Sequence, residues 1–242
     1  MTKGELIFDG NEKQVYATNE PDKVIFRYKD VTLAFNSIKR AVFKGKGSLT
    51  NKISSILLGE LNRNGIATHF IGLNEEDDRE QLCYKIDILP LEFTVRNRIC
   101  GTLSRLLGVP EGTKPENTIF DLHYNCSKLD DPLINDHHAV ALGLATYEEM
   151  EHMYSIAAKA NEILGSFLKK AGIELVDIKL EFGRRAGTGE LIISDEISPD
   201  TCRLWDIATG ESLDKDRFRK DMSDVVASYR EVYERLCKIK ED

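Results

Sequence analysis

The chain of 242 residues has no apolar stretch approaching the roughly 20 residues that a membrane-spanning helix needs. Its N-terminus, Met1-Thr2-Lys3-Gly4-Glu5, lacks the apolar core of a secretory signal, so the expected location is the cytoplasm. A basic excess is also missing. Lys plus Arg number 33 against 41 Asp plus Glu, a net charge of −8, and nothing in that balance invites duplex nucleic acid. Cys83, Cys100, Cys126, Cys202 and Cys237 are odd in number, widely spaced and without a Cys-x-x-Cys pair. They read as reduced thiols, neither a disulfide frame nor a zinc site. His137-His138 is a lone adjacent pair in a polar stretch and reads as structural or exposed rather than as a metal site. There is one Trp, and no repeat, low-complexity tract or long linker.

What is present concentrates in two neighbouring segments. Over residues 175–182, Val176, Ile178, Leu180 and Phe182 fall on one parity and Asp177, Lys179 and Glu181 on the other. A strand sends alternate side chains to opposite faces, so the apolar set packs on a core while the three charges share a surface. The Gly-rich connection 183–190 suits a hairpin to the next apolar run, 191–197, and pairing of the two strands lets Glu181 and Asp195 approach. Two carboxylates with positions left for phosphate oxygens are a usual holder of Mg²⁺, and Lys179 beside them can neutralise phosphate charge. Alternation alone favours an exposed edge strand with its charges outward. The loop that follows, Ser198-Pro199-Asp200-Thr201-Cys202-Arg203-Leu204-Trp205-Asp206, favours a ligand site, because polar groups on a rigidly held loop are typical of one.

Elsewhere the pattern predicts short strands at 6–8 and 13–16 around the turn Asp9-Gly10-Asn11-Glu12, then at 23–28 and 33–35. A helix is expected over 49–63, extended chain over 67–73 and 81–95, and a short helix over 102–107. Thr146-x-x-Glu149 is a capping box opening a long helix that ends near Gly172. A last helix is expected over 215–239, with Phe218, Met222, Val225, Tyr229, Val232 and Leu236 as its core stripe.

From Leu6 to about Leu236 the chain resembles the SAICAR synthetase (phosphoribosylaminoimidazole-succinocarboxamide synthase) family. The resemblance is carried by Asp177-x-Lys179-x-Glu181-Phe182-Gly183, Asp195-Glu196-Ile197-Ser198-Pro199-Asp200, Arg203-Leu204-Trp205-Asp206 and Asp214-Lys215-Asp216-Arg217-Phe218-Arg219. Val95-Arg96-Asn97-Arg98, Gly101-Thr102-Leu103, Asp131-Pro132-Leu133-Ile134-Asn135 and Gly45-Lys46-Gly47 add to it. It implies an α+β, two-lobed fold of ATP-grasp or kinase-like form. Residues 1–89 would be a small antiparallel sheet lobe covering the nucleotide, and 90–242 a larger α+β lobe with the metal and ribonucleotide site. The implied reaction condenses carboxyaminoimidazole ribonucleotide with L-aspartate at the expense of ATP, through an acyl phosphate, in purine biosynthesis.

The same resemblance implies ATP contacts at Gly10, Lys13, Val15, Lys85, Ile88 and Lys179, and Mg²⁺ on Glu181 and Asp195. It implies ribonucleotide contacts at Arg96, Thr102, Asp200, Arg203 and Arg219, and catalytic roles for Lys179 and Arg203 with Asp177 as their organiser. Glu92 is a further candidate. A homodimer is allowed, with the apolar face of the C-terminal helix as a surface for it. Departures lie in the N-terminal half. Asn11 and Asn125 stand where the family has lysines, Glu12 is an added acid beside the phosphates, and Leu33 occupies a hydroxyl position in Thr32-Leu33-Ala34-Phe35-Asn36. Alternative readings are a paralogous carboxylate–amine ligase with a changed substrate, or a ribonucleotide-binding protein with little turnover.

Overall fold

Alternation of apolar and charged residues makes the run around Lys179 a strand, and its length makes it the spine of the molecule. A computed structural model describes residues 2–34 and 38–239. The first strands are β1 (Lys3–Asp9), β2 (Lys13–Thr18), β3 (Lys23–Tyr28), β4 (Val31–Ala34) and β5 (Lys39–Val42), followed by α1 (Lys46–Arg63), β6 (Phe70–Leu73) and β7 (Glu80–Tyr84). Then come β8 (Ile86–Arg96), α2 (Thr102–Leu107), β9 (Ile119–Tyr124), β10 (Leu133–Ile134), α3 (Asp136–Ala141) and α4 (Tyr147–Lys170). The chain closes with β11 (Ile173–Arg185), β12 (Leu191–Ser194), β13 (Cys202–Asp206), α5 (Asp216–Arg219) and α6 (Val225–Ile239). The architecture is α+β. A five-stranded sheet ordered β1-β2-β3-β7-β6 sits beside a six-stranded sheet ordered β10-β9-β8-β11-β12, with β13 also on β11.

The larger sheet is organised by β11. One edge pairs with β8, and the other is shared end to end by β13, opposite 173–178, and β12, opposite 181–184. In the gap between those two short strands the connecting loop 195–201 meets β11, where the Lys179 amide donates to the Thr201 carbonyl at 2.9 Å. Ile178, Leu180 and Phe182 pair with Val95, Phe93 and, across β12, Ile193, and all six are buried. They face α4 and form one core with α1 and α6. Asp177, Lys179 and Glu181 pair with Arg96, Thr94 and Glu92 on the opposite face, so the ladder gathers charge from two strands onto one surface. A bulge between Leu175 and Asp177 shifts the parity, so Ile173 and Leu175 join the main core while Val176 is buried outside it.

A second irregularity falls between Glu181 and Gly183, opposite Pro90, which has no N–H to give the ladder. Gly183 is required there, since a Cβ would lie 2.6 Å from the Asp87 carbonyl oxygen. The expected domain limit at 89 lies inside β8, and α1 packs on α4 and α6 although it precedes that limit. The small sheet keeps its own cluster of Val24, Phe26, Tyr28 and Cys83.

Several boundaries differ from expectation. The helix expected from residue 49 starts at Lys46, because the Asp30 carboxylate, distant in sequence, accepts from the Gly47 amide at 2.9 Å. Extended chain at 81–95 is two strands in different sheets, and the 67–73 run is regular only from Phe70. The strand expected at 33–35 is β4, and Phe35 and Asn36 lie outside the described residues. Residues 202–206, expected as loop, form β13. The single C-terminal helix is two, broken where Asp221 and Asp224 take left-handed conformations that Asp tolerates. Its expected dimer face is covered within the chain, as Val225, Tyr229, Val232 and Leu236 are buried in the main core and α6 packs on α1. The Thr146 capping box has both of its hydrogen bonds. No helix among the described residues is long and apolar enough to cross a membrane.

Candidate active site

Between the two sheets lies a cavity of about 710 Å³. One end is apolar, with Phe8, Val15, Val24, Phe26, Ile86 and Ile88. The other is charged, with Lys13, Lys179, Lys215 and Arg219 among Glu92, Glu181, Asp195, Glu196 and Asp200. Of the residues expected from sequence, Gly10, Lys13, Val15, Lys85, Ile88, Lys179, Glu181, Asp195, Asp200 and Arg219 line this one space. An apolar lining with convergent charges beside it is the usual form of a small-molecule site.

At the charged end, Lys13 is ion-paired with Asp195 and lies 4.0 Å from Glu196. Asp195 follows β12 directly, takes the left-handed conformation that Asp tolerates, with φ 63°, and lines the cavity. Glu181 is paired with Ser194 in the ladder, one residue before Asp195. The Asn125 amide donates to it at 2.9 Å. Burial raises the Glu181 carboxyl above its ordinary value, opposed by the charge of Lys13. Both carboxylates therefore face one ammonium, which occupies a position suited to a cation. Among the described residues no group of three or more His, Cys, Asp or Glu side chains forms a metal cluster. A metal held here would take two protein oxygens and complete its shell from water or phosphate, the habit of Mg²⁺ rather than of zinc.

Lys179 pairs with Glu92 at 2.6 Å across the β8–β11 ladder. Below them Asp200 is fully enclosed. It accepts from Lys46 at 2.6 Å, from the Tyr229 hydroxyl at 3.1 Å and from Thr50 at 3.3 Å, and Lys215 stands 3.8 Å away. Burial would raise its carboxyl, but Lys46 and Lys215 outweigh that and hold it below the ordinary value. Glu12 pairs with Lys215 at 2.8 Å and accepts from the Leu33 amide at 3.1 Å, so the added acid is neutralised within the protein.

Arg96, Thr102, Asp177 and Arg203 do not line the cavity and form a second group beside it. Asp177 bonds Arg96 at 3.1 Å and Arg203 at 2.7 Å, while Asp121 holds Arg96 at 2.6 Å and Asp216 holds Arg203 at 2.8 Å. Asp216 also holds Arg219 at 2.5 Å, so the row of alternating charges reaches the cavity. Gly101, with φ 63°, lies against the Arg203 guanidinium, and Thr102 begins α2 next to it.

Lys46, Lys215, Glu196 and the Tyr229 hydroxyl had no expected role. Lys46 and Lys215 belong to family motifs, and the ring of Tyr229 is part of the core stripe. A charged residue flanked by glycines at a helix start was the available signal for Lys46. Trp205 lies away from the cavity, on β13 against Arg98 and Gly112. His138 caps α3 and His137 bonds the Tyr147 hydroxyl at 2.6 Å, both structural contacts. All five cysteines are free.

The family model for SAICAR synthetase matches residues 6–236. A phosphoribosylaminoimidazole-succinocarboxamide synthase of Clostridium perfringens is 50% identical over 232 residues, which is 96% of this chain and 97% of the relative. The crystal structure of the synthase from Ehrlichia chaffeensis is similar with a TM-score of 0.93 at 41% identity, covering 96% of this chain and 98% of that one. A SAICAR synthetase in complex with ADP gives a TM-score of 0.91 at 44% identity, covering 96% and 97%. With a match through nearly the whole length and relatives of the same extent, the chain belongs to the SAICAR synthetase family.

Proposed function

We propose that the chain condenses carboxyaminoimidazole ribonucleotide with L-aspartate, using ATP, to give SAICAR, ADP and phosphate, as a cytoplasmic enzyme of purine biosynthesis. The observation that carries this reading is the single cavity in which an apolar end adjoins Lys13, Lys179, Glu181 and Asp195, beside the row of arginines ordered by Asp177. The ADP complex of a relative at 44% identity supports a nucleotide in that cavity.

A carboxylate resists attack by an amine because oxide is a poor leaving group. Transfer of the ATP γ-phosphoryl to the ribonucleotide carboxylate makes an acyl phosphate, and the aspartate amine displaces phosphate from it. Such transfer depends on positioning and on neutralising charge. In this reading the base rests at the apolar end, against Val15 and Ile88 and close to Lys85, and the Gly10 turn covers the phosphates. Lys13 and Lys179 contact the phosphates. Glu181 and Asp195 would hold Mg²⁺, and a cation there would supply neutralisation of phosphate charge. Arg96, Thr102 and Arg203 take the phosphate and carboxylate of the ribonucleotide, guanidinium groups offering paired donors. Asp177 fixes both guanidinium groups, Asp200 accepts from donors of the ribonucleotide, and Arg219 adds an anion contact.

The test is ADP release from MgATP and carboxyaminoimidazole ribonucleotide, with and without L-aspartate. Aspartate-dependent ADP formation with succinocarboxamide product supports the reading. Turnover with a different amine or carboxylate would identify a paralogous ligase, and ribonucleotide binding without turnover would reduce the chain to a binding protein.

A further inference from the structure

The cations at the charged end of the cavity are already matched. Lys13 pairs with Asp195, Lys179 with Glu92 at 2.6 Å, Lys215 with Glu12 at 2.8 Å, and Arg219 with Asp216 at 2.5 Å. Behind them Lys46 is matched by Asp200 at 2.6 Å. Two further acids stand in excess: Glu181 is hydrogen-bonded by a neutral amide, and Glu196 is 4.0 Å from an ammonium that already serves Asp195. Even counting Lys85, which also lines the cavity, the balance is acidic, and a free polyphosphate would meet repulsion there.

Two of the matches come from one turn. Glu12 and Lys13 are adjacent, and the turn that holds them is closed by the Gly10 amide on the Lys13 carbonyl at 2.9 Å. Lys13 reaches Asp195 after β12, and Glu12 reaches Lys215 before α5. Glu12 is further anchored by the Leu33 amide at 3.1 Å, so its carboxylate is held in place rather than swinging into solvent. Lys215 is buried, lines the cavity and lies between Glu12 and Asp200, with no other acid as close as Glu12.

We propose that Glu12 is the positioning residue that makes nucleotide binding depend on a divalent cation, by holding Lys215 away from phosphate and by adding negative charge beside it. The inference rests on the nucleotide reading above and deepens it. Free ADP carries more negative charge than its magnesium complex, so the Glu12 charge disfavours the free nucleotide more than the complex. The coupling is reciprocal: nucleotide strengthens metal binding by the same factor that metal strengthens nucleotide binding. Removing the charge of Glu12 frees Lys215 to donate to phosphate and weakens that coupling.

The experiment is calorimetric titration of ADP into the full chain, with Mg²⁺ and separately with a chelator, for the wild type and for Glu12→Gln, Lys215→Met and the double variant. In Glu12→Gln, metal-free ADP binds about tenfold tighter, the size of one charge-assisted hydrogen bond, while magnesium ADP changes by less than about threefold. In the double variant that gain disappears. Lys215→Met alone leaves Glu12 unmatched and makes the metal dependence steeper, which provides an independent reading if Glu12→Gln does not fold. A gain of equal size with and without Mg²⁺, or one that survives loss of Lys215, would overturn the inference. Failure of the wild type to bind ADP even with Mg²⁺ would overturn the proposed function and this inference with it.

Discussion

The side-chain amide of Asn125 donates to the Glu181 carboxylate at 2.9 Å, bringing β9's end to the charged face of β11. The contact orders Glu181 without adding charge, at an edge of the cavity where phosphate is expected. Asn125→Lys places an ammonium there. The expected outcome is a KM for MgATP lowered about three- to tenfold, with the ribonucleotide KM unchanged. Steady-state kinetics with each substrate varied in turn would check it, and an unchanged MgATP KM would count against phosphate lying beside Asn125.

Glu181→Gln keeps the size of the side chain and its place opposite Ser194, but removes one of the three carboxylates, with Asp195 and Glu196, that face Lys13. Metal-dependent turnover is expected to fall on the order of 100-fold or more. Ribonucleotide affinity, measured by calorimetry, stays near the wild-type value because the arginine row is untouched. Normal turnover would refute the assignment of Glu181 to the metal.

Gly101→Ala tests the arginine row from outside it. A Cβ at this position, φ 63°, would lie 2.5 Å from an Arg203 guanidinium nitrogen, and Arg203 is held from two sides by Asp177 and Asp216. The strained backbone costs about 1–2 kcal/mol, readable in denaturant unfolding. The ribonucleotide KM is expected to rise about tenfold or more while that for MgATP stays within about twofold. Equal effects on both substrates would mean that Arg203 does not serve the ribonucleotide.

Asp214 gives a pH-dependent stability. It is fully buried and accepts from the Leu204 amide at 2.8 Å and the Asp216 amide at 2.7 Å. Burial, with the charge of Asp216 next, pushes its carboxyl from 3.8 up to about 7. A group whose folded value is raised stabilises the fold fully below its unfolded value, and that contribution is lost as pH rises through the folded one. Between about pH 4 and pH 7 the wild type should lose roughly 2–4 kcal/mol through this residue. Asp214→Asn keeps an acceptor oxygen and removes the titration. Its NH₂ faces one of the two backbone donors, so the variant loses a hydrogen bond at every pH. Urea unfolding should show its stability relative to wild type rising from pH 4 to pH 7 by the amount that the wild type loses. A constant difference would exclude Asp214 as its source.

Local patterns were legible where local physics decides the outcome. The charged parity of Asp177, Lys179 and Glu181, the Thr146 capping box, the short helix at 102–107 and the stripe of α6 all follow from neighbours within a few residues. The boundaries that differed depend on distant partners. Asp30 caps α1 from 17 residues away, and β13 is a strand only because β11 offers it an edge. The break before α6 rests on Asp residues in left-handed conformations, which composition alone does not announce. Of the candidate site residues, all but Arg96, Thr102, Asp177 and Arg203 line one cavity, and those four lie beside it.

By itself the sequence determined the strand whose two faces divide core from charge, the family motifs and the identity of the groups available for binding. Those depend on side-chain type and on a period of two or of 3.6 residues, which are written along the chain. Which charges neutralise one another was decided only by the tertiary structure. Glu12 meets Lys215 across 203 positions and Lys13 meets Asp195 across 182. Coulomb attraction acts through space and leaves no periodic trace in sequence. The buried Lys46–Asp200–Tyr229 group has the same origin, because a hydroxyl on an apolar stripe finds its acceptor only after the sheet and helices have packed around it.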